Sequence, residues 1–271
     1  MFIKNAIFRA FTYVRHVLTA WHTGGEGVHS PTLFYMVRMV LYDDNAYYVF
    51  PRIEQQRKAL LRSTTTLIQQ DYGTGVSADG FTEIPRQVSC IARTHLESAK
   101  IGQSLFRIVN HLTETHRQPM TVVELGTSLG ITTSYLASAS PKNRVQTYEG
   151  AEGVLGVAEE VWRTLELTNI EPIIGNIDDT LPKHCPEQVD FAYMDANHTY
   201  EATLRYFRQL LPHLRNQSIV VLDDIHHSPE MERAWYEIQS MQQVTSTIDC
   251  YHIGLVFFNK HYIRKNYRMR I

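Results

Sequence analysis

Residues 121–137 read TVVELGTSLGITTSYLA. An apolar pair, Val122-Val123, runs into Glu124-Leu125-Gly126. The turn Thr127-Ser128-Leu129-Gly130 follows, and then a helix-like segment over 131–139 that stops before Pro141. A strand, a glycine-bearing turn and a helix in that order form a receptor for a nucleotide-like group. Gly126 reaches backbone angles closed to other residues and lets a ligand approach the main chain. The helix start offers unpaired N–H groups and the positive end of a dipole. The turn is not the dinucleotide fingerprint, because Ser128 stands where G-x-G-x-x-G puts its middle glycine.

Downstream of this turn the pattern alternates between strands and helices, which implies a mostly parallel sheet. Strands are expected at 121–125, 144–148, 171–174, 189–195 and 218–222, with helices at 151–167, 200–214 and 229–242. Two strands close together, 245–249 and 252–258, end the series as an antiparallel pair. That makes seven strands. A plain dinucleotide-binding sheet would keep alternating with helices instead.

Upstream the character is helical. Residues 3–21 read as an amphipathic helix, with Phe2, Ala6, Ala10, Tyr13, Val14 and Val17 at helical spacing. Lys4, Arg9 and Arg15 do not form a dense basic face, so packing on its own domain or on a second subunit is favoured over a membrane surface. Ser30-Pro31 reads as an N-cap and first helical residue, opening a helix over 31–42. Further helices are expected at 51–70, 85–96 and 100–113, with a glycine-rich loop at 71–80. The expected division is therefore an α-helical region, 1–118, that caps the acceptor site or builds a homodimer, and a ligand-binding domain, 119–271. Aromatic residues of the first part, Phe34, Tyr35, Tyr42, Tyr47, Tyr48 and Phe50, read as core before acceptor pocket.

Composition narrows the classes. The 271 residues carry a formal net charge of -2, with 20% charged and 44% hydrophobic residues. No global basic field points to nucleic acid. The basic end, residues 260–270, reads as a solvated tail. Cys90, Cys185 and Cys250 are odd in number and far apart, which suits reduced thiols in a cytoplasmic setting rather than a disulfide framework or zinc ribbon. No apolar run has the length of a membrane span.

Ligands of open α/β sheets bind at the carboxyl ends of strands. After the second strand stand Glu149 and Gly150. After the third comes Gly175-Asn176-Ile177-Asp178-Asp179-Thr180-Leu181-Pro182. After the fourth comes Asp195-Ala196-Asn197-His198, and after the fifth Asp223-Asp224. An acid at the end of the second strand is suited to accept both ribose hydroxyls of an adenosine. Three carboxylates crowding the neighbouring fourth and fifth strands call for a compensating cation, cationic ligand or proton.

The pattern E-x-G-x-x-x-G over 124–130 resembles motif I of class I S-adenosylmethionine (SAM) methyltransferases, and the resemblance extends over roughly residues 99–259. It implies a Rossmann-like, seven-stranded, mostly parallel sheet with an antiparallel last strand. It implies a SAM site built from Glu124, Gly126, Thr127, Ser128, Gly130, Glu149 and Gly150, with Asp195 close to the transferred methyl. The segment after the third strand resembles the family's adenine-lining stretch, which implies Ile177 and Asp178 there, with Asp179 the rival for a one-residue slip. The acidic cluster is similar to that of metal-dependent catechol and caffeoyl-CoA O-methyltransferases. On that resemblance Asp195, Asp223 and Asp224 would hold Mg²⁺ or another divalent cation. Asp224 departs from the asparagine of that pattern, and His198 stands where its catalytic lysine would be. The phrase MDANHTYE is closer to a broad bacterial group in which the metal is not assured. His198 is then the candidate base, with Asp195 beside it. The expected activity is SAM-dependent O-methylation of a small molecule, with no nucleic acid as partner. The alternatives are a SAM-binding scaffold without catalysis and a nicotinamide-dependent oxidoreductase.

Overall fold

The computed structural model describes residues 2–71 and 82–271. The loop expected at 71–80 lies, from residue 72 on, outside the described residues. In chain order the elements are α1 (Phe2–Thr19), α2 (Pro31–Tyr35) running into a π-helical stretch (Met36–Leu41), α3 (Val49–Arg62), β1 (Thr66–Asp71), β2 (Thr82–Gln87), α4 (Val88–His95) and α5 (Ala99–His116). Then follow β3 (Thr121–Leu125), α6 (Ile131–Ser138), β4 (Arg144–Glu149), α7 (Glu152–Leu165), β5 (Ile170–Ile174) and α8 (Ile177–His184). The last are β6 (Val189–Met194), α9 (Tyr200–Leu210), β7 (Leu214–Leu222), α10 (Pro229–Ser240), β8 (Ser246–Asp249), β9 (Gly254–Phe257) and β10 (Lys265–Arg268).

The chain divides into two compact units, Asp44–Cys185 and Met1–Asp43 with Pro186–Ile271. In the first, β3 pairs parallel with β4 and β4 with β5. Val122, Val123 and Leu125 are wholly buried, as expected of a parallel strand covered on both faces. Helix α6 is buried through its first seven residues. It accepts α5 at close range because position 102 is glycine: a Cβ there would lie 2.5 Å from a ring carbon of Tyr135. The Tyr135 hydroxyl donates to Glu54 of α3 at 2.7 Å. Tyr47 and Phe50 meet Phe106 edge to face, and Phe50 meets Tyr135 in the same way, at centroid distances of 4.8–5.6 Å. Of the upstream aromatics Phe50 is core and Tyr47 is half-buried, whereas Phe34, Tyr35 and Tyr48 are exposed.

In the second unit β6 pairs parallel with β7, β9 lies antiparallel between β7 and β8, and β10 pairs parallel with β8. All six residues of β6 are buried. Gly254 lets β9 press against Trp235 of α10, where a Cβ would stand 2.6 Å from the indole.

Three expectations change. The helix expected over 51–70 ends at Arg62, and Ser63 leaves it with extended angles. Three consecutive β-branched residues, Thr64–Thr66, then turn the chain into β1. Helix α4 starts at Val88, not at 85, because 82–87 pairs antiparallel with β1 and sets Pro85 opposite Ile68. A two-stranded ribbon tolerates that proline, since both strands are edges. The basic end is not a solvated tail: Tyr267 and Met269 are buried with alternating period and β10 is a strand. The strands of the two sheet portions therefore number eight rather than seven.

Helix α1 buries Thr12 and His16, and Ala20 just past its end is buried too. Its other face leaves Ile7, Phe11, Val14 and Leu18 between 56% and 68% exposed, and Trp21 in the turn that follows is 76% exposed. Among the described residues no helix is long and apolar enough to cross a membrane.

Candidate active site

Residue pairing aligns the carboxyl ends of three strands in the unit 44–185. Leu125 stands opposite Tyr148, and Glu149 opposite Ile174. Just past these ends the chain turns through left-handed backbone at Gly126 (φ 99°), Ser128 (φ 49°), Gly130 (φ 75°) and Gly175 (φ 128°). Gly126 N and Thr127 N both donate to the Tyr148 carbonyl at 3.1 Å, which locks the turn onto β4. Gly130 caps α6, and its carbonyl accepts from the Trp162 indole at 3.0 Å.

Glu149 is half-buried at the end of β4. One carboxylate oxygen accepts from Ser128 N at 2.8 Å, the other from Ala151 N at 2.9 Å. Burial pushes its carboxyl above the ordinary glutamate range, against the pull of the Ala151, Ser128 and Gly150 N–H groups. Three N–H donors on its roughly four lone-pair sites leave the carboxylate capacity to accept from a hydroxyl.

Glu124 has a different place from the other turn residues. It is wholly buried, and one oxygen accepts from Thr133 at 2.5 Å and Thr147 at 2.6 Å. Thr127 and Thr147 share a 2.6 Å hydrogen bond. The glutamate thus pins the turn from beneath. Asn176 caps α8 by accepting from Asp178 N at 3.0 Å. Ile177 and Asp178 occupy the first turn of that helix, half-buried, and Asp179 is exposed.

The unit holding residues 186–271 carries a second set of polar groups, at the ends of β6 and β7. Met194 and Leu222 are paired, and Asp223 N donates to the Met194 carbonyl at 2.9 Å. Asp195 and Asp223-Asp224 therefore leave the pair side by side. Asn197 (φ 66°), His198 (φ 33°) and Asp224 (φ 53°) all adopt the left-handed region, strained for non-glycine residues and a common mark of functional loops. His198 Nε2 lies 3.1 Å from Asp195 Oδ1, and His227 Nδ1 lies 3.2 Å from Asp224 Oδ2. The His198 and His227 rings stand 6.1 Å apart. Burial pushes the Asp224 carboxyl up. The His227 hydrogen bond and the charges of His198, His227 and His252 outweigh it and hold the group below the usual range.

The carboxylates of Asp195, Asp223 and Asp224, expected to share a metal, are not among the described side chains whose ligand atoms converge; Asp195 and Asp224 each face a histidine, and Asp223 is buried. Among the described residues, the group whose ligand atoms converge is another one, His16, His226 and Asp249. The sequence reading missed His227 and His252 as neighbours of Asp224, because no spacing connects position 252 to 224.

Residues 123–225 match a family model described as "Methyltransferase domain". The chain carries a methyltransferase domain. No curated protein matches the methyltransferase, but solved structures share its fold. The O-methyltransferase from Bacillus cereus, solved with SAH, superposes with a TM-score of 0.54 at 17% identity, over 80% of this chain and 93% of that one. The SAH-bound methyltransferase PaMTH1 of Podospora anserina gives 0.57 at 11% identity, over 85% and 96%. The O-methyltransferase TomG of Streptomyces achromogenes, solved with SAM, gives 0.52 at 21% identity, over 60% and 82%. The fold of the methyltransferase is thus the Rossmann-like, mostly parallel sheet with flanking helices that the class I resemblance implied.

Proposed function

We propose that this methyltransferase uses SAM and transfers its methyl to an oxygen of a small molecule. The observation that carries the reading is Glu149. Its two oxygens are aimed by the Ser128 and Ala151 N–H groups at the end of β4, beside the left-handed turn at Gly126. A carboxylate held that way is prepared for the paired hydroxyls of a ribose. Gly126, Thr127, Ser128, Gly130 and Gly150 would form the rest of the cradle, with Ile177 and Asp178 at the adenine and Glu124 positioning the turn. SAM supplies a methyl already activated by its sulfonium. The relatives solved with SAM or SAH support the same cofactor.

His198 is the base in this reading. Its Nε2 faces the Asp195 carboxylate at 3.1 Å. A carboxylate accepts, so the ring proton sits on Nε2 and the lone pair on Nδ1. Nδ1 takes the proton of the acceptor hydroxyl as the O–CH₃ bond forms and the methyl's bond to sulfur breaks. Asp195 orients the ring and stabilises the imidazolium, a contribution of about 10²–10⁴ in rate for a well-placed base. No metal step is needed. The acceptor is a small molecule, and nucleic acid is not a partner in this reading. The exposed apolar face of α1 serves a homodimer.

Isothermal titration with SAM tests the cofactor, and transfer of labelled methyl to a panel of phenols, catechols and carboxylates tests the reaction. Micromolar SAM binding with O-methylated product supports the proposal. Binding without transfer to any acceptor would leave a scaffold, and no SAM binding would end the enzyme reading.

A further inference from the structure

Three side chains far apart in sequence meet inside the unit formed by residues 1–43 and 186–271. His16 comes from α1, His226 from the loop after β7, and Asp249 from the end of β8. They are 3%, 3% and 2% exposed. Their ligand atoms all lie within 4.8 Å of one another.

The hydrogen bonds around the two rings decide where their lone pairs point. His16 Nε2 lies 3.0 Å from the Met269 carbonyl oxygen. A carbonyl only accepts, so Nε2 carries the ring proton. In the neutral ring Nδ1 is then a lone pair, and it lies 3.2 Å from Asp249 Oδ1. Nδ1 is fully buried and makes no well-formed hydrogen bond. His226 repeats the arrangement. Nδ1 lies 2.9 Å from Glu232 Oε1 and Nε2 lies 3.0 Å from Asp249 Oδ2. Both of its neighbours are carboxylates that only accept, so the ring carries a proton on each nitrogen unless a cation takes the place of the one on Nε2. The His16 Nδ1, the His226 Nε2 and a carboxylate thus converge on one buried point, and that convergence calls for a positive charge among them, a metal ion or a proton.

The outer nitrogens complete the picture. Proteins that bind metal through histidine hold the distal ring N–H on a carboxylate or a backbone carbonyl. Glu232 and Met269 supply one of each. A zinc-like ion with ligand distances of about 2.0–2.2 Å needs its ligand atoms roughly 3.2–3.5 Å apart. The observed 3.0 and 3.2 Å nitrogen–oxygen separations are close to that. Asp249 remains supported from outside, by Tyr251 N at 3.0 Å on Oδ1 and Arg268 Nε at 3.2 Å on Oδ2. Arg15 pairs with Glu232 in turn.

We propose that His16 Nδ1, His226 Nε2 and the Asp249 carboxylate bind a divalent cation of the zinc class, which clasps α1 to the C-terminal strands. Two imidazoles and one carboxylate select borderline transition metals over Mg²⁺ or Ca²⁺. The proposal does not depend on the proposed reaction. Its rival is a pair of protons, one on each ring.

Cobalt(II) distinguishes the two. The full chain, purified without a polyhistidine tag and stripped with chelator, is titrated with Co²⁺. The proposal expects one equivalent bound, with visible d–d absorption that Zn²⁺ abolishes and Mg²⁺ leaves unchanged. His16→Gln and Asp249→Asn should weaken binding at least ~100-fold, and Glu232→Gln about 10–100-fold through the distal nitrogen. Asp224→Asn, in the neighbouring acidic loop, should retain the full spectrum. X-ray absorption on the cobalt-loaded wild-type protein gives a second readout that needs no folded variant, and it should count two imidazoles. No d–d spectrum in the folded wild-type chain, a spectrum unchanged by His16→Gln, or fewer than two imidazoles in the absorption data overturns the proposal.

Discussion

Gly130→Ala is the perturbation whose cost the structure specifies best. Position 130 has φ 75°, and an added Cβ would stand 2.6 Å from the Trp162 indole nitrogen, 2.7 Å from Ala158 Cβ and 3.0 Å from Ala158 Cα. The left-handed conformation alone costs alanine roughly 1–2 kcal/mol. The collision cannot be relieved by a rotamer. Ala158 Cα belongs to the backbone of α7, and the indole is fixed by its own 3.0 Å hydrogen bond to the Gly130 carbonyl. Overpacking of that kind adds about 1–3 kcal/mol. The sum, on the order of 2–5 kcal/mol, is a 30-fold or larger change in an unfolding equilibrium, since about 1.4 kcal/mol is tenfold. Urea unfolding followed by tryptophan fluorescence measures it. Adding Ala158→Gly should recover only part of the loss, because the nearest Cβ goes while the strained φ and the backbone contact stay. A loss below about 0.5 kcal/mol in Gly130→Ala would refute the argument that this turn is built on a close helix approach.

Three other outcomes follow from the same structure. His198→Ala should cut turnover about 10²–10⁴-fold and leave SAM affinity unchanged, and equal turnover would remove the base. The raised Glu149 carboxyl predicts that SAM affinity falls with acidification at a midpoint above the 4.5 of a free glutamate. The sign is fixed because the ionised form accepts the hydroxyls and protonation removes that charge. Glu149→Gln should flatten the affinity profile in that range, and an unaltered profile would assign the titration elsewhere. Leu18→Glu, on the face of α1 where Leu18 is 68% exposed, should convert a dimer to a monomer in light scattering with little loss of unfolding free energy. A wild-type chain that is already monomeric would remove the dimer.

The parts of this protein that the sequence discloses are those where burial leaves a periodic trace. β3 and β6 are buried on both faces and read as apolar runs, and the turn between β3 and α6 needs glycine at 126 and 130 for reasons visible in the letters. What escaped has equally physical causes. β1 has the sequence TLIQQD, which has no clean alternation, and it is stabilised by a partner strand 10 residues beyond its end. At β10 the buried residues, Tyr267 and Met269 just past the strand, stand among arginines and a lysine, so charge masked the period-two signal. His16, His226 and Asp249 are joined only by the fold, and no spacing in the sequence connects them. Conversely, Asp195, Asp223 and Asp224 sit where the strand ends predicted, yet the Asp195 and Asp224 carboxylates turn to histidines instead of to one point. Strand-end placement follows from topology. Side-chain convergence depends on local backbone angles, here left-handed at Asn197, His198 and Asp224.

The central claim is that the turn at 126–130 and Glu149 hold SAM. Isothermal titration of wild-type chain and Glu149→Gln with SAM tests it directly. The account predicts micromolar binding in the wild type, weakened at least ~10-fold in the variant while its unfolding midpoint stays close to wild type. A wild-type chain that binds no SAM, or a variant that binds it equally well, would contradict it.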